Sequence, residues 1–151
     1  MKRTFLISIL ALALLVPAVA QAAFVSGTYK GTTSQQGPVS FKASQTRLTK
    51  LRIGVVFRCT DGDRFQTVLP AAAPTSYFPG QNIRTGGYYG TTFTGSSGAS
   101  RYVHRGRILN RRATGTFVGT RKYNTNDQLD PQGTVICRTG TVSYSIPRTG
   151  F

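Results

Sequence analysis

The chain has 151 residues and a formal net charge of +15, from 19 Lys and Arg against four Asp and no Glu, with 17 Gly, two Cys, one His and no Trp. A chain of this length makes a single domain. Its only side-chain carboxylates are Asp61, Asp63, Asp127 and Asp130 and its only imidazole is His104, so it lacks the acids, bases and ligands on which most hydrolytic and metal-dependent chemistry draws.

The chain opens on Lys2 and Arg3, runs through an apolar stretch from Phe5 to Val16 and meets Pro17; two A-x-A sites follow, Ala18-Val19-Ala20 and Ala20-Gln21-Ala22. That is the pattern of a secretory signal peptide, and cleavage after Ala22 divides the chain into a signal over residues 1–22 and a domain over residues 23–151. An apolar core of about a dozen residues falls short of the roughly 20 that a spanning helix needs. The expected destination is therefore the periplasm or the extracellular space, with no transmembrane span in the mature protein. Loss of Lys2 and Arg3 leaves a charge of +13.

In the mature part no stretch has helical periodicity. Short runs alternate with period two between clusters of Gly, Pro, Ser, Asn and Asp, the pattern of an all-β chain. Strands are expected over Gly27–Thr33, Val39–Ser44, Arg47–Cys59, Arg64–Leu69, Tyr88–Thr94, Arg101–Leu109, Ala113–Tyr123 and Thr134–Ile146. Gln36-Gly37-Pro38 and Asp61-Gly62 supply the turn geometry that hairpins need, and Pro70–Gly80 and Asn124–Gly133 read as longer loops. Cys59 and Cys137 are an even pair in an oxidising compartment, which reads as a disulfide. Closing so long a loop contributes at most about 4–5 kcal/mol. Neither cysteine belongs to a C-x-x-C motif, so a thioredoxin-like or zinc role has no support.

The hairpin around Asn110 tests this reading. If Leu109 faces Arg112, then Tyr102, His104, Gly106 and Ile108 face Gly119, Phe117, Gly115 and Ala113, while Arg101, Val103, Arg105 and Arg107 face Thr120, Val118, Thr116 and Thr114. One register sorts both strands into an apolar, glycine-containing face and a basic, threonine-rich face. The same sorting recurs in the third strand, where Leu51, Ile53, Val55, Phe57 and Cys59 oppose Lys50, Arg52 and Arg58. About eight sequential strands joined by short turns predict an antiparallel meander closed as a small β-barrel, with a β-sandwich as the alternative. An immunoglobulin-type sandwich is disfavoured by the missing core Trp.

The layout Gly27-Thr28-Tyr29-Lys30-Gly31, then Val39-Ser40-Phe41, then Arg58-Cys59-Thr60-Asp61-Gly62 resembles small exported bacterial β-sheet proteins with one disulfide. Gly106-Arg107-Ile108, Ala113-Thr114-Gly115-Thr116-Phe117 and the run from Cys137 to Tyr144 agree with it. The resemblance spans nearly all of the mature chain. It implies a one-disulfide β-domain and assigns no catalytic residue.

His104, on the apolar face beside Phe117, lacks a local nucleophile or orienting carboxylate and reads as a packed histidine bonded to a hydroxyl or carbonyl. Asp61 and Asp63, and the cluster Asn124, Asn126, Asp127 and Asp130, offer oxygen ligands, yet the same residues are ordinary turn chemistry and a cation is repelled by the net charge. No metal or cofactor is expected. The basic residues are the positive signal: 13 of the 17 in the mature part are Arg, the better side chain for forked contacts to phosphate, sulfate or carboxylate. Lys50, Arg52, Arg58, Arg101, Arg105, Arg107, Arg111 and Arg112 are the candidate binding residues, with Arg121 and Lys122 near the far end of the hairpin. The expected partner is an anionic polymer: lipopolysaccharide, teichoic acid, nucleic acid or acidic polysaccharide. Tyr88-Tyr89 and Tyr77-Phe78 could add stacking surface. The alternatives are a small-ligand carrier using a glycine-lined barrel interior, and, ranked last, a secreted hydrolase built on His104 and a loop Asp. An outer-membrane barrel is disfavoured by the arginines on one face of most strands.

Overall fold

Alternating apolar and polar residues dictate strands over most of the described chain. A computed structural model describes residues 25–70 and 78–150, and the expected signal segment lies outside them. Nine strands are present there: β1 (Gly27–Thr32), β2 (Pro38–Ala43), β3 (Arg47–Cys59), β4 (Arg64–Leu69), β5 (Gln81–Asn82), β6 (Tyr88–Thr94), β7 (Ser100–Leu109), β8 (Arg112–Tyr123) and β9 (Val135–Gly150). Eight fall on the expected segments. The ninth, β5, is two residues long and carries no alternation of its own; it becomes a strand by pairing with Arg47 and Leu48 of β3. β9 continues past Ile146, through Pro147, because β1 pairs with Arg148 and Gly150.

All pairings are antiparallel. β1 to β4 are successive neighbours, as are β6 to β9, and β9 returns against β1. The end of β3 also reaches β9, through Arg58↔Arg138 and Cys59↔Cys137. The sheet therefore closes as a barrel, the expected architecture, with β3, β2, β1 and β9 as its ring. β4 and β5 bond to β3 outside that ring, and β8, β7 and β6 extend from β9. The ring is this small because β3 has 13 residues, long enough to serve β2 and β5 with its first half and β4 and β9 with its second. An isolated bridge, Ile83↔Tyr89, ties the chain after β5 to β6.

A bulge adjusts β3 to the core. Lys50 has φ of 55°, and the β2–β3 register shifts between Ser40 and Lys42, so Leu48 and Leu51 both point inward although three residues apart. Farther along, Gly54 and Val56 are buried as well as Ile53, Val55 and Phe57. The β1–β2 turn lies over that side: Gln35 accepts from the Val56 N–H at 2.7 Å and donates to the Thr139 carbonyl at 2.8 Å. A Cβ on Gly37 would overlap the backbone of Gly54.

The core is one cluster, from Tyr29, Phe41, Leu51 and Phe57 on one side to Tyr89, Ile108, Phe117 and Val142 on the other. Each such side chain contributes roughly 1.5–3 kcal/mol on burial. The disulfide Cys59–Cys137 forms between directly opposed residues and closes a sequence separation of 78, a bond compatible with an oxidising compartment. Among the described residues no helix is long and apolar enough to cross a membrane.

Candidate functional site

The β7–β8 hairpin has the register that alternation demands, from Ser100↔Arg121 to Leu109↔Arg112. Its inward glycines are explained by their neighbours. Tyr89 of β6 faces Gly106, Gly106 faces Gly115, and Gly115 faces Tyr144 of β9. The two tyrosines lean over the two glycines and their hydroxyls meet at 2.7 Å. A Cβ on Gly106 or Gly115 would overlap the Tyr89 or Tyr144 hydroxyl respectively. The space beside these glycines, which the sequence offers to a small ligand, is filled by the protein's own phenols.

These phenols end a buried polar chain. The Gln81 amide lies 2.8 Å from His104 Nδ1 through Nε2 and 3.1 Å through Oε1. His104 Nε2 lies 2.6 Å from the Tyr144 hydroxyl, and the Tyr89 hydroxyl donates to the Thr114 carbonyl at 3.1 Å. One donor order runs through the chain: Gln81 N–H to Nδ1, Nε2–H to Tyr144, Tyr144 O–H to Tyr89, Tyr89 O–H to Thr114. His104 is fully buried, and burial lowers its pKa to about 3, which keeps it neutral in this arrangement. Burial raises Tyr89, and it raises Tyr144 well above the usual phenol range. Both imidazole nitrogens are thus engaged by Gln81 and Tyr144 rather than by a carboxylate.

The opposite face of the same strands carries a cleft of about 850 Å³. Its floor is the backbone at Gly90, Gly106 and Gly115, and its walls include Arg84, Arg105, Arg107, Tyr88, Thr92, Thr114, Thr116 and Ser143. No carboxylate lines it. The Arg107 guanidinium sits 4.6 Å above the Tyr88 ring, and its Nε donates to the Gly86 carbonyl at 2.9 Å. Only glycine allows that carbonyl to be there: Gly86 and Gly87 have φ of 79° and 80°, and a Cβ on Gly87 would overlap the Ile108 carbonyl. Arg107 is therefore held in place while Tyr88 stays 51% exposed.

The eight candidate cations do not form one patch. Arg105 and Arg107 enter the cleft. Arg101 lies farther along β7, opposite Thr94 and Thr120. Arg58 is across the barrel seam, between Arg64 and Arg138. Arg111 and Arg112 occupy the exposed β7–β8 turn, with Arg112 donating to Ser145 Oγ at 3.1 Å. Lys50 sits at the bulge, and Arg52 pairs with Ser40 on the β2–β3 side. Arg121 is drawn inward: it lies 5.1 Å from the Phe57 ring centroid and donates to the Tyr102 hydroxyl at 2.8 Å. Arg84 escaped the sequence reading because it precedes β6 in a stretch with no period, and its place in the cleft depends on the Gly86-Gly87 turn.

The acidic residues collect elsewhere. Asp61, Asp63 and Asp127 line a smaller recess of about 290 Å³ beside Cys59 and Cys137. The turn oxygens are used locally: Asp61 accepts from the Asp63 N–H, Asn124 from Asn126 and Gln128, and Asp130 from Gln132. Among the described residues no group of three His, Cys, Asp or Glu could hold a metal. Searches of protein-family models, curated proteins and solved structures find no match to this chain.

Proposed function

We propose that this protein is an exported β-domain that binds acidic polysaccharide on its arginine-bearing outer face, seated in the β6–β9 cleft. One observation carries the reading. The cleft combines three arginines, an exposed tyrosine and a rim of threonine and serine hydroxyls, with no carboxylate. Guanidinium groups recognise carboxylate or sulfate as a fork, hydroxyls match sugar hydroxyls, and the Tyr88 ring offers an apolar face to a pyranose. Export is supported by the N-terminal pattern of Lys2, Arg3, the Phe5 to Val16 run and the A-x-A sites, and by the disulfide. Nucleic acid would be attracted by charge alone, and such attraction falls steeply with salt.

The test is binding of the oxidised protein to polygalacturonate, heparin, RNA and neutral dextran across a salt series. Binding to an acidic polysaccharide should survive physiological salt, dextran should not bind, and Arg105→Ser with Arg107→Ser should weaken binding about tenfold or more. Equal binding to all polyanions, lost together as salt rises and indifferent to those two substitutions, would overturn the reading.

A further inference from the structure

The barrel seam places arginines in a line that no single segment of sequence contains. Across five adjacent strands the opposed residues are Arg101 of β7, Thr120 of β8, Arg138 of β9, Arg58 of β3 and Arg64 of β4. All four arginines are exposed. Like charges directly opposite one another on neighbouring strands are destabilising, and here two such pairs, Arg58↔Arg138 and Arg58↔Arg64, are consecutive. Their neighbours in the sheet are each other and threonine, while Asp61 and Asp63 turn to the recess at the disulfide.

The disulfide is what holds the central pair. Cys59 faces Cys137 in the position next to Arg58 and Arg138, so a covalent bond adjoins the two cations and opposes their separation. The fold maintains this repulsion rather than relieving it, which is expected of a surface awaiting an anion.

We infer that this row is a second contact strip for the acidic polysaccharide, lying across the strands, and that its preferred ligand is a polyuronate with one carboxylate per sugar. Neighbouring strands lie about 4.8 Å apart, so the row advances by that step and spans about 19 Å. The step is comparable to the length of one extended pyranose residue, so successive carboxylates of a polyuronate meet successive strands. A duplex nucleic acid, being wide and rigid, does not follow so narrow a line around a small barrel. The inference rests on the polysaccharide reading of the cleft but uses different residues.

The probe is a ladder of oligogalacturonates, from two to eight sugars, titrated against the oxidised wild type and two double variants. Wild-type affinity should rise with length and level off at about five sugars, the span of the row. Arg58→Ser with Arg138→Ser should abolish that rise and weaken the longer ligands about tenfold or more, with unfolding still cooperative. Arg105→Ser with Arg107→Ser should lower affinity while preserving the rise. If the seam variant binds every length as the wild type does and only the cleft variant weakens, the strip is overturned and the cleft reading stands. If neither variant changes binding, or no oligogalacturonate binds, both readings fall. A Cys59→Ser/Cys137→Ser variant that remains folded should lose part of the length dependence; full retention would show that the disulfide does not hold the row.

Discussion

The two faces of the β7–β8 hairpin follow opposite rules. On the inner face hydrogen bonds link Gln81, His104, Tyr144 and Tyr89 in one buried chain, and the glycines are spaced to admit the phenols. On the outer face the arginines stand beside threonine, glycine, Tyr88 or, at the barrel seam, other arginines. The chain thus pairs its buried polar groups with one another on one side of the sheet and leaves exposed like charges adjacent on the other. The inner face carries the fold; the outer face carries a local cost, the one the proposed ligand would remove.

That separation can be broken most forcefully at Phe117, fully buried between His104 and Tyr102. Phe117→Ala should lower unfolding free energy by about 3–5 kcal/mol, whereas Thr116→Ala, one residue away and outward, should stay within about 0.5 kcal/mol. Urea denaturation measures both, and comparable losses would contradict the division.

Acid is the second lever. His104 has its native pKa lowered to about 3 by burial, against about 6.5 in the unfolded chain. Above pH 6.5 neither state binds the proton and the contribution is complete. As pH falls from 6.5 toward 3 only the unfolded chain takes it up, so stability should decline by about 1.4 kcal/mol per pH unit. His104→Gln should remove that slope even if it lowers stability at neutral pH. Parallel slopes for wild type and variant between pH 6.5 and 4.5 would place the effect elsewhere.

The smallest effect has the opposite sign. Arg58→Thr removes both consecutive like-charge pairs and should stabilise the free protein by about 0.2–1 kcal/mol at low salt, with the gain shrinking as salt screens the repulsion. A loss of stability in thermal melts at low salt would mean that the row is not under repulsion.

Much of this molecule was legible before its fold. Alternation located eight strands, and the side-by-side sorting of Tyr102, His104 and Ile108 against Arg101, Arg105 and Arg107 required a single hairpin register, which the structure has. The disulfide followed from an even cysteine count. The arginine row went unread: Arg58 precedes Cys59 and Arg138 follows Cys137, but it is the closure of β3 on β9 that sets them face to face. Arg64 and Thr120 join the row through the β3–β4 and β8–β9 registers, which are likewise long-range. The bulge at Lys50 was hidden, since a left-handed lysine has no local signature and is imposed by the need to bury both Leu48 and Leu51. Nor did any pattern associate Gln81 with His104, because their bond depends on β5 docking against β3.

By itself the sequence determined which way the side chains of the β7–β8 hairpin face, because the period of a strand is local and a one-residue slip would reverse every assignment there. Which strands meet is a long-range matter. The closure of β3 on β9, the docking of β5, the phenol-filled interior and the separation of the eight cations among a cleft, a seam, a turn and the β2–β3 side were decided only by the tertiary structure. They depend on where the 13-residue β3 bends and on which distant edges it can reach, quantities that no window of residues contains.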